Sequence, residues 1–519
     1  MLRRLVRHWR DARAKTLREQ RIQSLLDRGE SLRRAGDIER AKLCYVEILS
    51  LDAAVAAAHS ELALLLTISG RMQEALRHYR AAHAIEPLTG AALESGVRVL
   101  LQNGQTDEAR SVAEASVERH PPSYESWLAL GLATMACNDY GRAIAAFDRA
   151  VALRPDSADA HANRGIALQN LGRFDEAHAE YARAIHEHPD HPLARFHQSL
   201  AWLTTSHYAR GWAAYETRLL DPALAPRPQH FPRWDGSSPA GRRLLVYGEQ
   251  GLGDEIMFAS CIPDLVRARA RCVIECNPAL RALFTRSFPD TIVYPASADK
   301  SVPEPIRANG IEQEVPLGSL PLYYRSSAAA FERRGGYLRA DPDRVSAWRR
   351  RLTASGPGLT VGISWQGGTA STRTALRSVP LEQWLPILTV PGVRFVSLQY
   401  TRDAQQSLAV LQQKHGISVA HWAEAIADYD ETAALVCALD LTVSVCTSIV
   451  HLAGALGRPV WVMVPHNPEW RYGYVGETML WHPSARLFRQ QQAREWQPVI
   501  SSVAGALRKR IASSSASWS

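Results

Sequence analysis

A period of 34 residues runs through the first part of this chain without an insertion or a deletion. A small residue, a glycine turn, an alanine, a bulky aromatic and a proline each recur at this spacing. Their positions are Gly29, Ala63, Gly131 and Gly165; Gly36, Gly70, Gly104 and Gly172; Ala41, Ala75, Ala109, Ala143 and Ala177; Tyr45, Tyr79, Phe147 and Tyr181; and Pro87, Pro121, Pro155 and Pro189. Val97, Asn138 and Ala113 depart from the pattern. Such a period predicts a solenoid of helix pairs, because small residues let two helices touch, the aromatic fills the gap between repeats and proline ends the second helix.

This pattern resembles the tetratricopeptide repeat, with five units over residues 22–191. A degenerate sixth unit and a Pro-rich joint are predicted over 192–239, because Trp212 and Tyr215 are similar to the second helix of a repeat. Stacked repeats of this class form a groove that binds a peptide or another protein, and the alternative is a purely structural spacer. We therefore expect a protein or peptide partner in the repeat groove.

Residues 1–21 precede the array and predict a basic amphipathic helix. Leu2, Leu5, Val6 and Trp9 recur at helical spacing among arginines. This helix either packs its apolar stripe on the first repeat as a cap, which we favour, or lies on an anionic membrane surface as a peripheral contact.

Charge is segregated along the 519 residues. The net charge of +8 divides into +6 over residues 1–21, −7 over residues 22–191 and +9 over residues 192–519. Only five of the 60 basic residues are lysines, which indicates an Arg-biased genome, and no basic cluster carries interleaved stacking aromatics. This distribution argues against nucleic acid as a partner, and the basic second half suits an anionic small-molecule substrate.

Neither a membrane span nor a disulfide framework is expected. No stretch approaches the ~18 consecutive apolar residues of a transmembrane helix. The seven cysteines are scattered and include no CxxC pair, so that a zinc site is also unexpected. We predict a cytoplasmic protein, either free or peripheral to a membrane through residues 1–21.

Beyond residue 239 the pattern changes to short apolar runs that alternate with helical stretches. Strands are predicted at 244–247, 272–276, 291–294, 359–365, 393–399, 441–445 and 459–464, and helices at 278–288, 381–388, 431–439 and 448–456. A strand, a Gly-rich turn and a helix in this order begin a doubly wound parallel sheet. We predict an α/β region of two Rossmann-like lobes, with chemistry in the crevice at the carboxyl ends of their strands. The lobes are assigned to 240–350 and 351–485, and a C-terminal helix with a Ser-rich tail to 486–519.

The Gly-rich turn after the first predicted strand contains Gly251, Gly253 and Asp254. The glycines let the backbone approach a ligand closely, and Asp254 is either a helix cap or a catalytic carboxylate. The GxGxxG spacing is not met, so this turn is not the dinucleotide-binding fingerprint.

Thr447 and Ser448 lie where a later strand ends and a helix begins. Their hydroxyls and the free N–H groups of the helix can hold a diphosphate. His451 follows one turn later on the same face, either as a ligand-binding residue or as a helix-packing histidine.

Two further loops carry arginine. Gly367 is followed by Arg373 and Arg377, which form either a phosphate-binding loop or a solvated surface loop. Trp470 and Arg471 follow the last strong strand, where they either stack on and bind a nucleotide or pack between the lobes.

Taken in order, these motifs resemble those of bacterial repeat proteins with a C-terminal heptosyltransferase-like domain, which are similar to glycosyltransferase family nine and have the GT-B fold. The likeness covers about residues 192–500 and is carried by residues 244–258, 361–365, 377–381, 444–447, 451–454 and 468–471. The order of repeats before a GT-B region is also similar to that of the O-linked N-acetylglucosamine transferases.

The resemblance implies an inverting, metal-independent transfer from a nucleotide-diphosphate sugar, which is a substrate rather than a bound cofactor. It places the acceptor in the first lobe and the donor in the second. Asp254 matches the general base of the heptosyltransferases, and Gln250, Gly251 and Gly253 match the acceptor loop. The donor-binding residues that the resemblance implies are Gly367, Arg377, Cys446, Thr447, Ser448, His451, Trp470 and Arg471.

One residue departs from the family pattern. Cys446 stands where the family commonly has an aspartate that contacts the donor, and a thiol cannot accept the same charge-assisted hydrogen bonds. Either the donor differs from a heptose, or the region is a degenerate transferase-like domain in a non-catalytic repeat scaffold that mediates protein–protein interaction.

Overall fold

The computed structural model describes residues 2–119, 121–220, 228–331, 335–368 and 374–515. Two compact units, Met1–Ala194 and Arg195–Ser519, make up the chain. Outside the described part lie Arg373, residues 221–227 of the Pro-rich joint, residues 516–519 of the Ser-rich tail and the side chains of Leu2, Leu5 and Val6. Among the described residues, no helix combines the length and the apolar character that a membrane-spanning helix needs.

Helices of the first unit follow one another in pairs, as the 34-residue period predicts. Their bounds are α1 Leu2–Arg34, α2 Ile38–Leu51, α3 Ala56–Ile68, α4 Met72–Ile85, α5 Gly90–Gln102, α6 Thr106–Arg119, α7 Tyr124–Ala136, α8 Tyr140–Leu153, α9 Ala158–Asn170 and α10 Phe174–Glu187. The two members of each pair pack against each other. The prediction of five helical repeats is confirmed.

A left-handed residue makes the turn inside each pair. The backbone φ is +80° at Gly36 and +75° at Gly172, and Asn138 takes the same conformation with a φ of +61°. Asparagine enters this region more readily than most residues that have a side chain. The period therefore keeps its geometry where the glycine is replaced.

The recurring aromatic packs directly on the recurring small residue of its own pair. A Cβ atom at Gly131 would lie 2.3 Å from Phe147 Cε1, and one at Gly165 would lie 2.6 Å from Tyr181 Cε1. Both rings are fully buried. The small residue is therefore required by the ring of its own repeat as well as by the contact between helices.

The predicted N-terminal segment 1–21 is continuous with the first repeat, because α1 runs unbroken to Arg34. Trp9 is 64% exposed and Leu17 is 58% exposed, whereas burial begins near Leu25. The described side chains of this segment therefore do not form the apolar cap that we favoured.

A sixth helix pair, α11 Pro192–Thr204 and α12 Tyr208–Tyr215, leads into the second unit. Tyr215 continues the 34-residue series of aromatics. Trp212 is fully buried, and its Nε1 donates to the carbonyl oxygen of Arg325 at 2.9 Å. The second helix of this pair is therefore built into the core of the α/β region.

The first sheet of the second unit is parallel and has the strand order β3–β2–β1–β4. Its elements are β1 Arg243–Tyr247, α13 Leu252–Phe258, α14 Ile262–Arg267, β2 Arg271–Cys276, α15 Arg281–Ser287, β3 Ile292–Pro295, α16 Glu304–Arg307, β4 Gln313–Pro316 and α17 Leu320–Tyr324. The predicted strands at 244–247, 272–276 and 291–294 are confirmed within one residue at each end. The strand at 313–316 was not predicted.

The second sheet has the order β6–β5–β7–β8–β10–β9 and is parallel except at β9. Its elements are α18 Pro342–Ala354, β5 Leu359–Ser364, α19 Thr374–Arg377, α20 Leu385–Leu388, β6 Val393–Ser397, α21 Ala404–His415, α22 Ala423–Ala427, α23 Tyr429–Ala438, β7 Leu441–Val445, α24 Ser448–Ala455, β8 Val460–Val464, β9 Thr478–Met479, β10 His482–Arg489 and α25 Gln497–Ser515. The α/β class of the region is confirmed.

The predicted end of the second lobe at residue 485 cuts through β10. This strand pairs with β8 up to Arg489, so the sheet extends beyond the predicted boundary. The predicted C-terminal helix is present as α25, and Ile500, Val503 and Leu507 are fully buried in the core of the second sheet.

One continuous apolar core joins the two sheets. At the surface of this junction, Arg286 from α15 binds Asp430 from α23 through two hydrogen bonds of 2.9 and 2.7 Å. The Tyr337 hydroxyl donates to the carbonyl oxygen of Ile256 at 2.7 Å. The backbone N–H of Tyr337 donates to the carbonyl oxygen of Ala455 at 2.8 Å. These contacts hold the loops of the two sheets close together.

The packing of Phe147 on Gly131 generates a stability prediction. We expect Gly131→Ala to lower the free energy of unfolding by about 1–3 kcal/mol, because the added methyl group overpacks a buried ring. Gly141→Ala in α8 is the matched control, since its Cβ would meet no described atom within 4 Å. The control should be neutral or stabilising by up to about 1 kcal/mol. Urea unfolding followed by far-UV circular dichroism measures both, and equal stability of the two variants would contradict this packing role.

Candidate functional site

The predicted site residues lie on loops that leave the carboxyl ends of the central strands. In the first sheet, β1 lies between β2 and β4, and the Gly-rich turn follows it. In the second sheet, β5 lies between β6 and β7, and the loops at Gly367 and Thr447 follow β5 and β7. Both are points where the strand order reverses, which is where ligands bind in open α/β sheets.

The Gly-rich turn presents Asp254 in the first turn of α13. Gly251 is the N-cap of this helix, and its N–H lies 3.4 Å from Asp254 Oδ2 in a capping-box arrangement. Gln250 is left-handed with a φ of +64°, and its Nε2 donates to the Tyr215 hydroxyl at 2.7 Å. The sixth repeat-like pair therefore holds the tip of the turn.

A buried arginine, Arg218, holds the same turn through Glu249. This contact was not predicted from the sequence. Arg218 is 1% exposed, and its Nε and Nη2 donate to Glu249 at 3.0 and 2.6 Å. The backbone N–H of Gly318 donates to the same carboxylate at 2.8 Å. No sequence motif marks Arg218, because its partner is 31 residues away and in a different element.

Asp254 also begins a chain of three ion pairs that crosses from the first sheet to the second. Arg471 Nη2 donates to Asp254 Oδ1 at 2.5 Å, and Arg471 Nη1 donates to Glu469 Oε2 at 2.5 Å. Glu469 Oε1 in turn accepts from Arg377 Nη1 at 2.5 Å. The four side chains are 11–20% exposed, so the chain lies at the edge of the solvent. Two carboxylates and two guanidinium groups balance each other.

Burial raises the pKa of Asp254, and the neighbouring Arg471 offsets this only in part. The next residue, Glu255, is a second perturbed carboxyl whose pKa burial raises to about 7. Its Oε2 accepts from the N–H of Asn277 at 2.8 Å, and a Cβ at Gly248 would lie 2.5 Å from its carboxyl carbon. Glu255 therefore lies directly beneath the turn.

Loops of the second sheet meet at Thr447. Its side chain caps α24 by accepting from the N–H of Ile449 at 3.2 Å. A Cβ at Gly367 would lie 2.5 Å from Thr447 Cγ2, and one at Gly253 would lie 3.2 Å from Ser448 Cα. These two glycines allow loops from both sheets to close around the N-terminus of α24.

Arg377 is held against the backbone of the same region. Its Nε donates to the carbonyl oxygen of Gly367 at 3.2 Å. Gly368 has a φ of +80°, and a Cβ there would overlap the guanidinium group. The predicted arginine loop is therefore an ordered part of the site at Arg377, not a freely solvated loop.

The side chains of Cys446, His451 and Trp470, which are predicted donor-binding residues, are packed inside the protein. Cys446 is buried, and burial raises the pKa of its thiol to about 12. Trp470 is buried in an aromatic cluster, with ring centroids 6.2 Å from Phe258 and 5.3 Å from Trp212. His451 lies inside α24. The packing alternative thus describes Trp470 better than nucleotide stacking does.

His451 faces a second buried histidine that the sequence did not reveal. His451 Nδ1 lies 3.1 Å from His482 Nε2, and both rings are almost completely buried. Burial lowers the pKa of both, to about 3 for His482. A Cβ at Gly454 would lie 2.2 Å from His482 Cγ, which explains the glycine one turn after His451.

Two other features bear on ligands. Within the described ranges, no group of three or more His, Cys, Asp or Glu side chains is placed to hold a metal ion. A cavity of about 20 Å³ lined by Ser260, Arg325, Tyr337 and Trp481 lies between the sheets. It has room for about one water molecule and not for a sugar nucleotide.

The comparisons with known proteins define the class of the first unit. Two tetratricopeptide repeat family models match, one at residues 26–87 and 96–158 and the other at 135–203. The chain thus contains tetratricopeptide repeats, which are followed by an α/β region. Repeats of this class build extended concave surfaces that bind proteins or peptides.

A relative that matches most of the chain defines the family. The chain is 31% identical to Protein FlbA of Caulobacter vibrioides over 505 residues, which cover 92% of this chain and 83% of FlbA. It belongs to the same family as FlbA. The match extends over both units, so repeats and α/β region are combined in that protein too.

Solved structures resemble the repeat array. They include YrrB, described as having an unusual peptide-binding site (22% identity, TM-score 0.30), and PilF of Pseudomonas aeruginosa (18% identity, TM-score 0.32). A third is MamA of Desulfovibrio magneticus (20% identity, TM-score 0.29). They cover 34%, 39% and 33% of this chain and 91%, 87% and 97% of their own chains, respectively.

The buried histidine pair generates a pH prediction. Because the folded pKa values of His451 and His482 are lowered, the folded state binds fewer protons than the unfolded state below about pH 6.5. Stability is therefore complete above that pH and falls as the pH decreases.

We expect His451→Asn, which keeps a nitrogen near the Nδ1 position, to reduce this loss by about 1.4 kcal/mol per pH unit. Urea unfolding of the wild type and the variant between pH 6 and 5 measures the difference. Parallel pH profiles for the two proteins would show that His451 is not held neutral.

Proposed function

We propose that this protein is a glycosyltransferase that moves a sugar from a nucleotide-diphosphate donor to an acceptor hydroxyl, while its repeats bind the protein or peptide that carries or presents the acceptor. The observation that carries this proposal is the meeting of Asp254, Arg471 and Arg377 at the carboxyl ends of both sheets. A base and two phosphate-binding cations are what a transfer without a metal requires.

In the proposed step, Asp254 takes the proton of the acceptor hydroxyl. The acceptor oxygen then attacks the anomeric carbon, and the bond between that carbon and the diphosphate oxygen breaks with inversion. The departing diphosphate keeps the electron pair of the broken bond. The raised pKa of Asp254 favours this role, because a base with a higher pKa accepts a proton more readily.

The leaving diphosphate needs positive charge. Arg377 and Arg471 supply it, and guanidinium groups bind phosphate oxygens in a bidentate manner. The N-terminus of α24 adds backbone N–H donors beside Ser448. Under this proposal the two sheets are the two lobes of a GT-B fold, and the donor binds to the lobe that contains the second sheet.

The ion pairs give the donor a second role. Arg471 donates a hydrogen bond to Asp254 Oδ1. A free base would use this oxygen to accept the proton of the acceptor hydroxyl. A diphosphate that draws Arg471 away would release that oxygen. Donor binding would thus activate the base, so that the site is inactive until the donor is present.

A second candidate is a non-catalytic scaffold in which the α/β region serves only protein–protein interaction. Cys446 favours it, because a buried neutral thiol replaces an expected carboxylate. The satisfied charges of the ion-pair chain are also compatible with a purely structural role. Binding of a sugar nucleotide separates the two candidates.

The test begins with thermal unfolding of the full chain in the presence of individual UDP-, GDP-, ADP- and dTDP-sugars. A ligand that binds the folded state raises the melting temperature. Release of nucleoside diphosphate from the best donor, with and without candidate acceptors, then measures transfer. We expect Asp254→Asn to keep the thermal shift and to lose about 10²–10⁴-fold in rate, as removal of a general base does.

Asp403→Asn is the matched control, since Asp403 is exposed and makes no side-chain cap bond. It should react like the wild type. Transfer by Asp254→Asn at the wild-type rate would disprove the base assignment. If none of the sugar nucleotides shifts the melting temperature, the scaffold is the better account.

A further inference from the structure

A second surface, far along the sequence from the ion-pair chain, is formed by the start of α1. Every side chain described between residues 8 and 21 is exposed. Trp9 and Leu17 are 64% and 58% exposed, which is unusual for large apolar side chains on an ordered helix. The two are about 80° apart around the helix at 3.6 residues per turn, so they lie on neighbouring parts of one face.

Positive charge is concentrated on the same segment. Residues 1–21 have a net charge of +6, whereas residues 22–191 have a net charge of −7. Arg18 and Arg21, the basic residues nearest the array, pair with Asp52 at 2.9 Å and with Glu47 at 2.7 Å. These pairs fix the base of the segment to α2.

Arg10, Arg13 and Lys15 lie farther towards the N-terminus and are exposed. The guanidinium carbon of Arg13 lies 5.4 Å from the centroid of the Trp9 ring, so the exposed tryptophan carries a cation on its face. Cationic side chains around an exposed indole are the composition of helices that lie at the surface of anionic bilayers.

We propose that residues 1–21 bind the surface of an anionic lipid membrane, with Trp9 and Leu17 entering the headgroup region. Charge complementarity favours this occupant, because a lipid surface with negative headgroups attracts a polybasic segment. The acidic array that follows, with a net charge of −7, is repelled by the same surface. Nucleic acid would use the arginines but has no need of an exposed leucine.

The experiment measures co-sedimentation of the full chain with vesicles. Binding should be about tenfold or more stronger to phosphatidylcholine mixed with phosphatidylglycerol than to phosphatidylcholine alone, and added salt should weaken it. The triple variant Arg10→Gln, Arg13→Gln, Lys15→Gln should bind anionic vesicles about 100-fold more weakly, at about fivefold for each charge lost. Trp9→Ser should weaken binding independently of salt.

The matched control removes the same charge elsewhere, with Arg77→Gln, Arg349→Gln and Arg350→Gln, all at exposed positions. It should bind anionic vesicles like the wild type. Circular dichroism and gel filtration check that each variant is folded and of unchanged size. These readouts do not involve sugar transfer. The membrane proposal is therefore tested independently of the proposed enzymatic function.

Three results would overturn the proposal. The first is wild-type binding to anionic vesicles no stronger than to neutral ones. The second is equal loss of binding in the control and in the N-terminal triple variant. The third is binding to a short DNA duplex as strong as to anionic vesicles and unchanged by Trp9→Ser, which would instead indicate a general polyanion surface.

Discussion

The ion pair between Asp254 and Arg471 is the interaction on which the site depends. Asp254 stands on the turn after the first strand of one sheet, and Arg471 follows a central strand of the other. Their contact at 2.5 Å requires both loops to be in place at once. Everything that fixes either loop therefore also fixes the geometry of the candidate site.

Several features of the chain serve this requirement. Arg218 holds the Gly-rich turn from below through Glu249, and Tyr215 holds its tip through Gln250. The sixth repeat-like pair is thus a support for the site as well as the end of the repeat pattern. Across the junction, the glycines at 253 and 367 leave room for the loops to meet at α24. The four charged side chains of the ion-pair chain are only partly exposed and balance one another.

Much of this fold could be predicted from the sequence because its signals are local and periodic. Each of these patterns depends on the backbone conformation of its own segment: the 34-residue repeats, the apolar runs of the central strands and the glycine turns. From the strands and turns we predicted that Asp254, Arg377, Thr447 and Arg471 lie in one region. Long-range pairs are different. Arg218 with Glu249 and His451 with His482 join residues about 31 apart in unrelated elements, and no local pattern encodes their meeting.

The same limit explains the other features that the sequence left open or missed. For Trp470 the sequence left nucleotide stacking and packing between the lobes open, because its burial depends on Phe258 and Trp212, which come from distant parts of the sequence. β10 escaped prediction because Pro483 and alternating polar residues hide a strand that only its pairing with β8 defines. The exposure of Trp9, the described member of the stripe expected to cap the first repeat, was equally hidden, because an apolar stripe in a sequence does not state whether a surface exists to cover it.

If Arg377 and Arg471 bind a diphosphate, as we propose, Glu469 competes with that ligand for both guanidinium groups. Calorimetric titration with the nucleoside diphosphate that gives the largest thermal shift tests it most directly, by comparing the wild type with Glu469→Gln. We expect severalfold tighter binding by this variant, because Arg377 and Arg471 lose an internal competitor. Glu495→Gln, at an exposed position, should bind like the wild type. Binding by Glu469→Gln that is equal to or weaker than that of the wild type would show that Glu469 does not compete with a diphosphate for these arginines.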